Sequence, residues 1–449
     1  MKIFLLLSAF PFKKGEAIDI VSYEVVRGMA MQGHQIFVQI LIRDIRSEIT
    51  LVREELVKKM ALDISDIKIL PVIYLTELPA FRASLESSVI RKLILFFRCL
   101  PGLRNILNSQ LFPAMAAAPI VQQRVYDCGV DVVTSIWSWE ALEASYNVQG
   151  VPKFVYYGNP NHKPPKIQLN YPDLFDMPHR SLTARLKLIV LKNVNRAREL
   201  QHLKMMNQCE VTANNALIDA QYYAEHGHKQ SIYLQNMWPD PPSPPVFSTI
   251  PSGRGAVANY CASVGNLGAT GNTFGLHYLG KELLPRLEQR LGPSIVSAKV
   301  YGGGKPRTAV ANVLSHPSVC QMGWVDNINA EIVASHAFLV LTNAYGFNVG
   351  NTRILLAWSL GACVIAHSSS ALSMPELEHG KNILLGNTPD EIVDLMVSVF
   401  YENDLRERIG RGGYETFKKY YRSEEVVPKM LNRISETLSV YREEMESKC

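Results

Sequence analysis

Residues 257–274 read VANYCASVGNLGATGNTF, and this stretch carries the pattern that decides the fold. The apolar run 257–264 has the length of a buried β-strand, and a helical pattern spans residues 274–291. Between them lie glycines at Gly-x-x-Gly-x-x-Gly spacing, where the backbone can approach a ligand and the helix start can offer N–H groups to a phosphate. Because this spacing is not the dinucleotide fingerprint, a flexible turn is the alternative interpretation.

The alternation of strand and helix patterns extends along the whole chain. Continuous apolar runs indicate strands that are buried on both faces, as in parallel sheets covered by helices. We therefore predict two Rossmann-like, doubly wound α/β domains that face a central cleft, with ligands at the carboxyl ends of their strands. The predicted strands are residues 2–8, 35–42, 67–75, 130–136, 153–157, 209–212 and 231–234, and then 257–264, 298–301, 319–324, 338–342 and 363–367.

A proline-rich stretch separates the two halves. Five of the seven residues from 239 to 245 are proline, which indicates a stiff, extended linker. From residue 389 to residue 444 the pattern is almost entirely helical. We predict an amino-terminal domain over 1–240, a linker over 241–252, a second domain over 253–420 and a helical tail over 421–449.

Composition excludes several classes of protein. The 449 residues are 47% hydrophobic and carry 46 Lys and Arg against 41 Asp and Glu, a net charge of +5. A disordered or collagen-like chain is excluded, and the mild charge does not suggest a nucleic-acid partner. The seven cysteines are scattered and contain no Cys-x-x-Cys pair, so we predict neither a disulfide framework nor a metal site, and a cytoplasmic location.

Two further glycine loops contain cations. Residues 301–307 read YGGGKPR, in which Gly303 and Lys305 could cradle a diphosphate; a surface loop with solvated charges is the alternative. No acidic residue ends the preceding strand, which argues against an NAD enzyme. Residues 345–353 read YGFNVGNTR and place Arg353 in the first turn of a helix. A guanidinium there could hold a phosphate with two hydrogen bonds, or could point to water.

These segments together resemble the group 1 glycosyltransferases, which have the GT-B fold, use nucleotide-sugar donors and retain anomeric configuration. In the carboxyl-terminal half the resemblance rests on residues 263–272, 275–285, 300–304, 321–325, 350–366, 374–377 and 380–382. In the amino-terminal half it rests on residues 28–36, 131–133 and 156–159, where 28–36 is similar to the family's Gly-His turn.

The loops and the resemblance together give a set of candidate site residues. The expected donor-binding residues are Gly265, Asn266, Gly268, Asn272, Gly303, Lys305, Arg353 and Glu376. The candidate catalytic residue is His162, which follows a predicted strand and could orient a donor or acceptor group; a surface histidine is the alternative. The chain contains no Asp-x-Asp pair, so we predict no metal and no cofactor other than the nucleotide-sugar co-substrate.

The sequence also departs from the family's pattern. Leu356 occupies the position of the second glutamate of the family's usual pair, and Asn266 and Asn272 lie near the places where Arg and Lys commonly hold the diphosphate. We expect a transferase that builds a cell-surface polysaccharide or glycolipid, with a glycan or lipid-linked acceptor. A nucleotide-sugar 2-epimerase of the same architecture and a non-catalytic scaffold, which Leu356 motivates, are the alternatives.

Two cationic stretches suggest a membrane surface as a further partner. Residues 91–104 are apolar with four cations and no acid, and residues 182–204 contain six cations against one acid. Either stretch could lie on the anionic inner face of a membrane. A buried helix with snorkelling ends and a solvated helix face are the respective alternatives.

Overall fold

The computed structural model describes residues 1–43, 47–62, 66–81, 113–245, 247, 250–253 and 255–447. The chain divides into two compact units. The amino-terminal unit comprises Met1–Lys166, Leu186–Met237 and Ser423–Cys449, and the carboxyl-terminal unit comprises Ile167–Arg185 and Trp238–Arg422. The predicted stretch 91–104 lies outside the described residues.

The amino-terminal unit contains a parallel sheet in the order β3-β2-β1-β5-β6-β7-β8, and β4 pairs with β2. Its strands are β1 Lys2–Leu7, β2 Gln35–Ile42, β3 Ile67–Ile69, β4 Ile73–Tyr74, β5 Val132–Ile136, β6 Lys153–Tyr157, β7 Val211–Asn214 and β8 Ser231–Tyr233. Its helices, numbered along the chain, are α1 Ala17–Met31, α2 Glu48–Leu62, α3 Ala118–Cys128, α4 Trp139–Ser145, α5 Lys163–Gln168, α6 Leu182–Met206 and α7 Leu217–Glu225. The ends of α5 and α6 extend into the carboxyl-terminal unit.

Apolar strands place the core where the sequence predicts it. Five of six residues of β1 and seven of eight residues of β2 are buried, because helices cover both faces of the sheet. The predicted strand 67–75 is two short strands, since Pro71 lacks the N–H that a continuous ladder needs.

The carboxyl-terminal unit contains a six-stranded parallel sheet in the order β11-β10-β9-β12-β13-β14. Its strands are β9 Ala258–Val264, β10 Val296–Tyr301, β11 Val319–Gly323, β12 Ala337–Val340, β13 Val364–His367 and β14 Leu384–Gly386. Its helices are α8 Thr270–Tyr278, α9 Leu284–Leu291, α10 Thr308–Leu314, α11 Ile328–Val333, α12 Thr352–Ser359, α13 Pro389–Tyr401 and α14 Asn403–Tyr420. A π-helical turn, Leu279–Leu283, joins α8 to α9. The helical segment starts at Thr270, four residues before the predicted start at Phe274.

The last helix, α15 Ser423–Glu446, belongs to the amino-terminal unit. Its residues Val426, Val427 and Met430 are buried in that unit's core, and Ser423 Oγ donates to Glu24 Oε2 at 2.6 Å. Gly28 of α1 allows this contact, because a Cβ there would lie 2.9 Å from Val427 Cγ2. The predicted fold class, two Rossmann-like α/β domains with a helical carboxyl-terminal tail, is confirmed.

One segment of the first half packs in the second unit. The rings of Tyr171 and Phe175 meet Phe274 edge-on at centroid distances of 5.4 and 5.2 Å. Gln168 Nε2 also donates to Thr270 Oγ1 at 2.7 Å. The predicted boundary at residue 240 placed this segment in the amino-terminal domain. The sequence could not show its packing in the other unit, because the aromatic partners lie about 100 residues away in the chain. Among the described residues, no helix is both long enough and apolar enough to cross a membrane.

Candidate functional site

The strand order of the carboxyl-terminal unit locates a crevice. Chain connections leave β9 towards β10 on one side, and β12 continues towards β13 on the other. In open α/β sheets, ligands bind at the carboxyl ends of the strands where the order reverses in this way. Two of the three predicted glycine loops, 264–272 and 345–353, overlap the segments that follow β9 and β12, and these segments border the switch point.

The first loop is shaped by its own carboxamides. Asn266 Oδ1 accepts the Gly268 N–H at 2.9 Å, and Asn272 Nδ2 donates to the Asn266 carbonyl at 2.7 Å. Ser263 Oγ completes the chain by donating to Asn272 Oδ1 at 3.0 Å, where Asn272 is buried. The asparagines at these two predicted donor-binding positions therefore fix the conformation of the loop backbone. Both polar side-chain atoms of Asn272 are already hydrogen-bonded within the protein.

The second loop packs against the first through backbone atoms. The Leu267 N–H donates to the Gly303 carbonyl at 2.8 Å, and the Gly265 N–H donates to the Tyr301 carbonyl at 3.1 Å. Gly302 has φ +109°, and a Cβ on it would lie 2.2 Å from the Gly265 carbonyl oxygen. Only glycine fits this approach. Lys305 at the end of this loop is exposed, and its ammonium has no ion-pair partner among the residues that the structure describes.

The third loop carries a network of neutral polar groups. Asn351 Nδ2 donates to Thr342 Oγ1 at 3.0 Å, and Thr342 Oγ1 donates to Asn343 Oδ1 at 3.0 Å. Asn343 Nδ2 then donates to Ser370 Oγ at 3.2 Å. A Cβ on Gly271 would lie 3.1 Å from Thr342 Cγ2, so the first and third loops meet across the switch point.

Arg353 lies in the first turn of α12, which Asn351 caps by accepting the Arg353 N–H at 3.3 Å. Burial lowers the pKa of the Arg353 guanidinium to about 10, and only the nearby thiol of Cys261 opposes this shift. No hydrogen bond or ion pair joins the guanidinium to another described residue. A half-buried cation without a counter-ion is costly, so the site is chemically suited to an anionic ligand.

The predicted donor-binding residue Glu376 forms hydrogen bonds with residues outside these loops. The Glu376 carboxylate accepts a hydrogen bond from the Tyr421 hydroxyl, and its carbonyl accepts one from Asn382 Nδ2 at 2.8 Å. Glu376 is therefore bonded to the end of α14. Leu356 lies on α12, three residues after Arg353, and supplies no acidic group there.

His162 belongs to the amino-terminal unit and is almost completely buried, with 4% of its surface exposed. Its Nε2 lies 3.3 Å from Glu199 Oε1, while Nδ1 is buried and has no hydrogen-bond partner among the residues that the structure describes. Burial lowers the pKa of His162 to about 4, although the Glu199 carboxylate acts in the opposite direction. Tyr222 and Lys166 also bind Glu199, at 2.8 and 3.3 Å. The surface-histidine alternative is wrong, because this polar cluster encloses the ring.

Sequence reasoning missed one residue at the carboxyl edge of the sheet. Trp324 follows β11 and is 86% exposed, unusual for so large an apolar side chain. Its Nε1 lies 3.0 Å from the Cβ position of Gly303, beside the second glycine loop. The signal available in the sequence is an aromatic residue directly after Gly323, which ends a strand. Residues 321–325 contribute to the family resemblance, but Trp324 is not among the predicted site residues.

Comparison with known proteins shows the fold. No family model matches the chain, and no curated protein sequence matches it. Among solved structures, the chain is similar to a sucrose-phosphate synthase from Thermosynechococcus elongatus, with a TM-score of 0.61 and 11% identity over 98% of this chain and 99% of that one. It is also similar to Anabaena HepE in complex with UDP-glucose, with a TM-score of 0.58 and 13% identity over 97% of this chain and 100% of that one. A glycosyltransferase from Rickettsia africae matches with a TM-score of 0.56 and 14% identity over 97% of this chain and 98% of that one. The chain therefore shares the GT-B-type fold of these glycosyltransferases.

Proposed function

We propose that the protein is a glycosyltransferase that binds a nucleotide-sugar donor at the switch point of its carboxyl-terminal sheet. The observation that carries the proposal is the half-buried guanidinium of Arg353, which lies in the first turn of α12, directly after the third glycine loop, and has no hydrogen-bond or ion-pair partner among the described residues. A diphosphate fits this site, because it can accept two hydrogen bonds from a guanidinium and further bonds from free backbone N–H groups. HepE has the same fold and binds UDP-glucose, which agrees with this ligand class.

In the proposed reaction, the bond between the anomeric carbon and the diphosphate oxygen breaks, and its electron pair stays on that oxygen. The acceptor hydroxyl forms the new bond to the anomeric carbon and passes its proton to the departing diphosphate oxygen. Arg353, Lys305 and the N–H groups at the starts of α8 and α12 would stabilise the charge on the leaving diphosphate. Their positive potential acts where charge develops, which lowers the barrier. We propose that this needs no metal or further cofactor.

Trp324 would provide a face for the nucleobase. It lies at the carboxyl end of β11, next to the loop of Gly303, and an exposed indole is well suited to stacking on a base. Each stacked base is worth about 1–3 kcal/mol by alanine substitution. Nucleotide binding should therefore quench the emission of Trp324, and Trp324→Ala should weaken binding without destabilising the fold.

The remaining parts of the proposal concern acceptor, stereochemistry and location. We propose a glycan or lipid-linked acceptor in cell-surface polysaccharide or glycolipid synthesis, and retention of the anomeric configuration; these rest on the sequence resemblance. The scattered cysteines support a cytoplasmic location. The anomeric coupling constant of the first product, measured by proton NMR, tests the stereochemistry directly.

The first experiment is titration calorimetry with UDP, GDP, ADP, CMP and dTDP, with NAD as a control ligand. We expect one nucleoside diphosphate to bind, and Arg353→Gln to weaken it by about 1–3 kcal/mol. Arg290→Gln is the matched control, since Arg290 is an exposed arginine near a helix end in the same unit, paired with Asp394 at 3.1 Å. Equal affinity for wild type and Arg353→Gln would remove Arg353 from the site, and binding of NAD alone would contradict the proposal.

Turnover separates the transferase from its two alternatives. A 2-epimerase would convert the nucleotide sugar in the absence of any acceptor, whereas a transferase would release nucleoside diphosphate in proportion to glycosylated product. A non-catalytic scaffold would do neither. The acid missing at Leu356 keeps the scaffold alternative relevant, because no described carboxylate replaces it on α12.

A further inference from the structure

Helix α6 presents a continuous surface stripe to solvent. The stripe, called here the α6 stripe, consists of residues that follow each other at spacings of three or four. They are Leu182, Arg185, Leu186, Ile189, Lys192, Arg196, Leu200 and Lys204, all exposed. At 3.6 residues per turn they fall within an arc of about 120° and extend over roughly 33 Å.

The apolar members of the α6 stripe are unusually exposed. Leu182, Leu186, Ile189 and Leu200 have 74%, 55%, 52% and 52% of their surface in contact with solvent. The helix buries other residues against its own unit, where Val194, Met205 and Met206 pack on Val155 and Tyr157 of β6. The exposed aliphatic row is therefore additional to the face that holds α6 in the fold.

The charged members of the α6 stripe all have the same sign. Arg185, Lys192, Arg196 and Lys204 form no ion pair with any other residue in the described ranges, and the stripe contains no acid. The nearest acid along the helix, Glu199, is already bound by His162, Lys166 and Tyr222. The stripe thus presents four cations that have no ion-pair partner in the described part of the chain.

A second exposed helix shows that this pattern is specific. Helix α2 also exposes aliphatic side chains, among them Ile49, Val52 and Leu56. Its Lys58 is neutralised within the helix, since the ammonium lies 3.1 Å from Glu54 and 3.6 Å from Glu55. Helix α2 also carries three acids against three cations, whereas the α6 stripe combines exposed aliphatic side chains with cations alone over about six turns.

We propose that the α6 stripe lies on the surface of a lipid bilayer that carries anionic headgroups. Aliphatic side chains in a row can enter the boundary of the acyl chains, while the lysine and arginine stems extend their charges to the headgroups. Nucleic acid would use the cations and leave four aliphatic side chains unburied. This surface is additional to the proposed nucleotide site and does not depend on glycosyl transfer.

The test is co-sedimentation of the full chain with vesicles, without nucleotide or acceptor. We expect binding to vesicles with about a third phosphatidylglycerol and weak binding to pure phosphatidylcholine, with a marked loss when salt is raised from about 0.1 to 0.5 M. Lys192→Gln/Arg196→Gln should weaken binding about 30-fold, since each cation near an anionic surface contributes about 1 kcal/mol. Leu186→Gln/Ile189→Gln should weaken it at least about tenfold through lost insertion.

Lys58→Gln/Lys59→Gln on α2 is the matched control, because it removes the same charge from another exposed helix and should leave binding unchanged. All these side chains are exposed, so circular dichroism should show folded proteins. The proposal is wrong if neutral and anionic vesicles bind equally or not at all, or if the α2 control loses as much as the α6 variants. It is also wrong if ultracentrifugation shows a dimer that Leu186→Gln/Ile189→Gln dissociates, which would assign the stripe to a second copy.

Discussion

Replacing Gly302 by alanine should disrupt the contact between the first two glycine loops. The new Cβ would lie 2.2 Å from the Gly265 carbonyl oxygen and 2.9 Å from the Gly265 nitrogen, so backbone must move. Gly302 also has φ +109°, a conformation that costs an alanine about 1–3 kcal/mol. Overpacking adds about 1–3 kcal/mol. We therefore expect Gly302→Ala to lower the free energy of unfolding by about 2–6 kcal/mol.

Two neighbouring glycines separate the two causes. Gly346 has φ +76° and open space around its Cβ position, so Gly346→Ala should cost about 1 kcal/mol through backbone strain alone. At Gly303 the Cβ position lies 3.0 Å from Nε1 of the exposed Trp324 side chain, which can move, so Gly303→Ala should change stability by less than about 0.5 kcal/mol.

Urea unfolding followed by circular dichroism measures the series, and calorimetry at a temperature where each variant is folded measures nucleotide binding. We expect Gly302→Ala to lose both stability and nucleotide affinity, because a displaced Gly265 moves the N–H groups of the first loop. If Gly302→Ala lowers the free energy of unfolding no more than Gly346→Ala does, the backbones of the two loops are not in contact. The description of the site would then be wrong.

Three further predictions concern polar groups that form hydrogen bonds or ion pairs inside the two units. Burial lowers the pKa of His162 to about 4, below the value of about 6.5 in an unfolded chain, so its contribution to stability is complete above pH 6.5 and is lost as the pH falls towards 4. Between pH 7 and pH 5, the free energy of unfolding of the wild type, measured in urea, should therefore fall by roughly 1–2 kcal/mol more than that of His162→Gln. Parallel pH profiles for the two proteins would contradict this. Asn272→Ala removes the bonds to Ser263 and to the Asn266 carbonyl and should lower the free energy of unfolding by about 1–3 kcal/mol; a neutral result would mean that Asn272 does not shape the loop. The Tyr301 hydroxyl, 2.7 Å from Glu331, holds the pKa of that carboxyl below its usual range, so Tyr301→Phe should raise the pKa, which carboxyl NMR titration against a Lys299→Gln control can measure.

Much of the fold was predictable because its signals are local. Apolar runs, glycine turns and the proline-rich linker each occur within a few consecutive residues, and they predicted a doubly wound sheet in each half. The candidate loops were also found locally, since glycines at strand ends are visible in sequence. The roles of individual side chains within those loops could not be predicted as well from the sequence. Asn272 was predicted to bind the donor, whereas its carboxamide is bonded to Ser263 and Asn266.

The sequence by itself determined the α/β class, the three loops and the presence of Arg353 at a helix start, because spacing and residue type suffice for these. Only the tertiary structure decided the strand order that puts the loops after β9 and β12 at one switch point. It also decided that Arg353 has no partner among the described residues, that Glu376 is bonded to Tyr421, and that α15 belongs to the amino-terminal unit. These depend on contacts between residues that are distant in the chain, and such contacts follow from the packing of the whole domain.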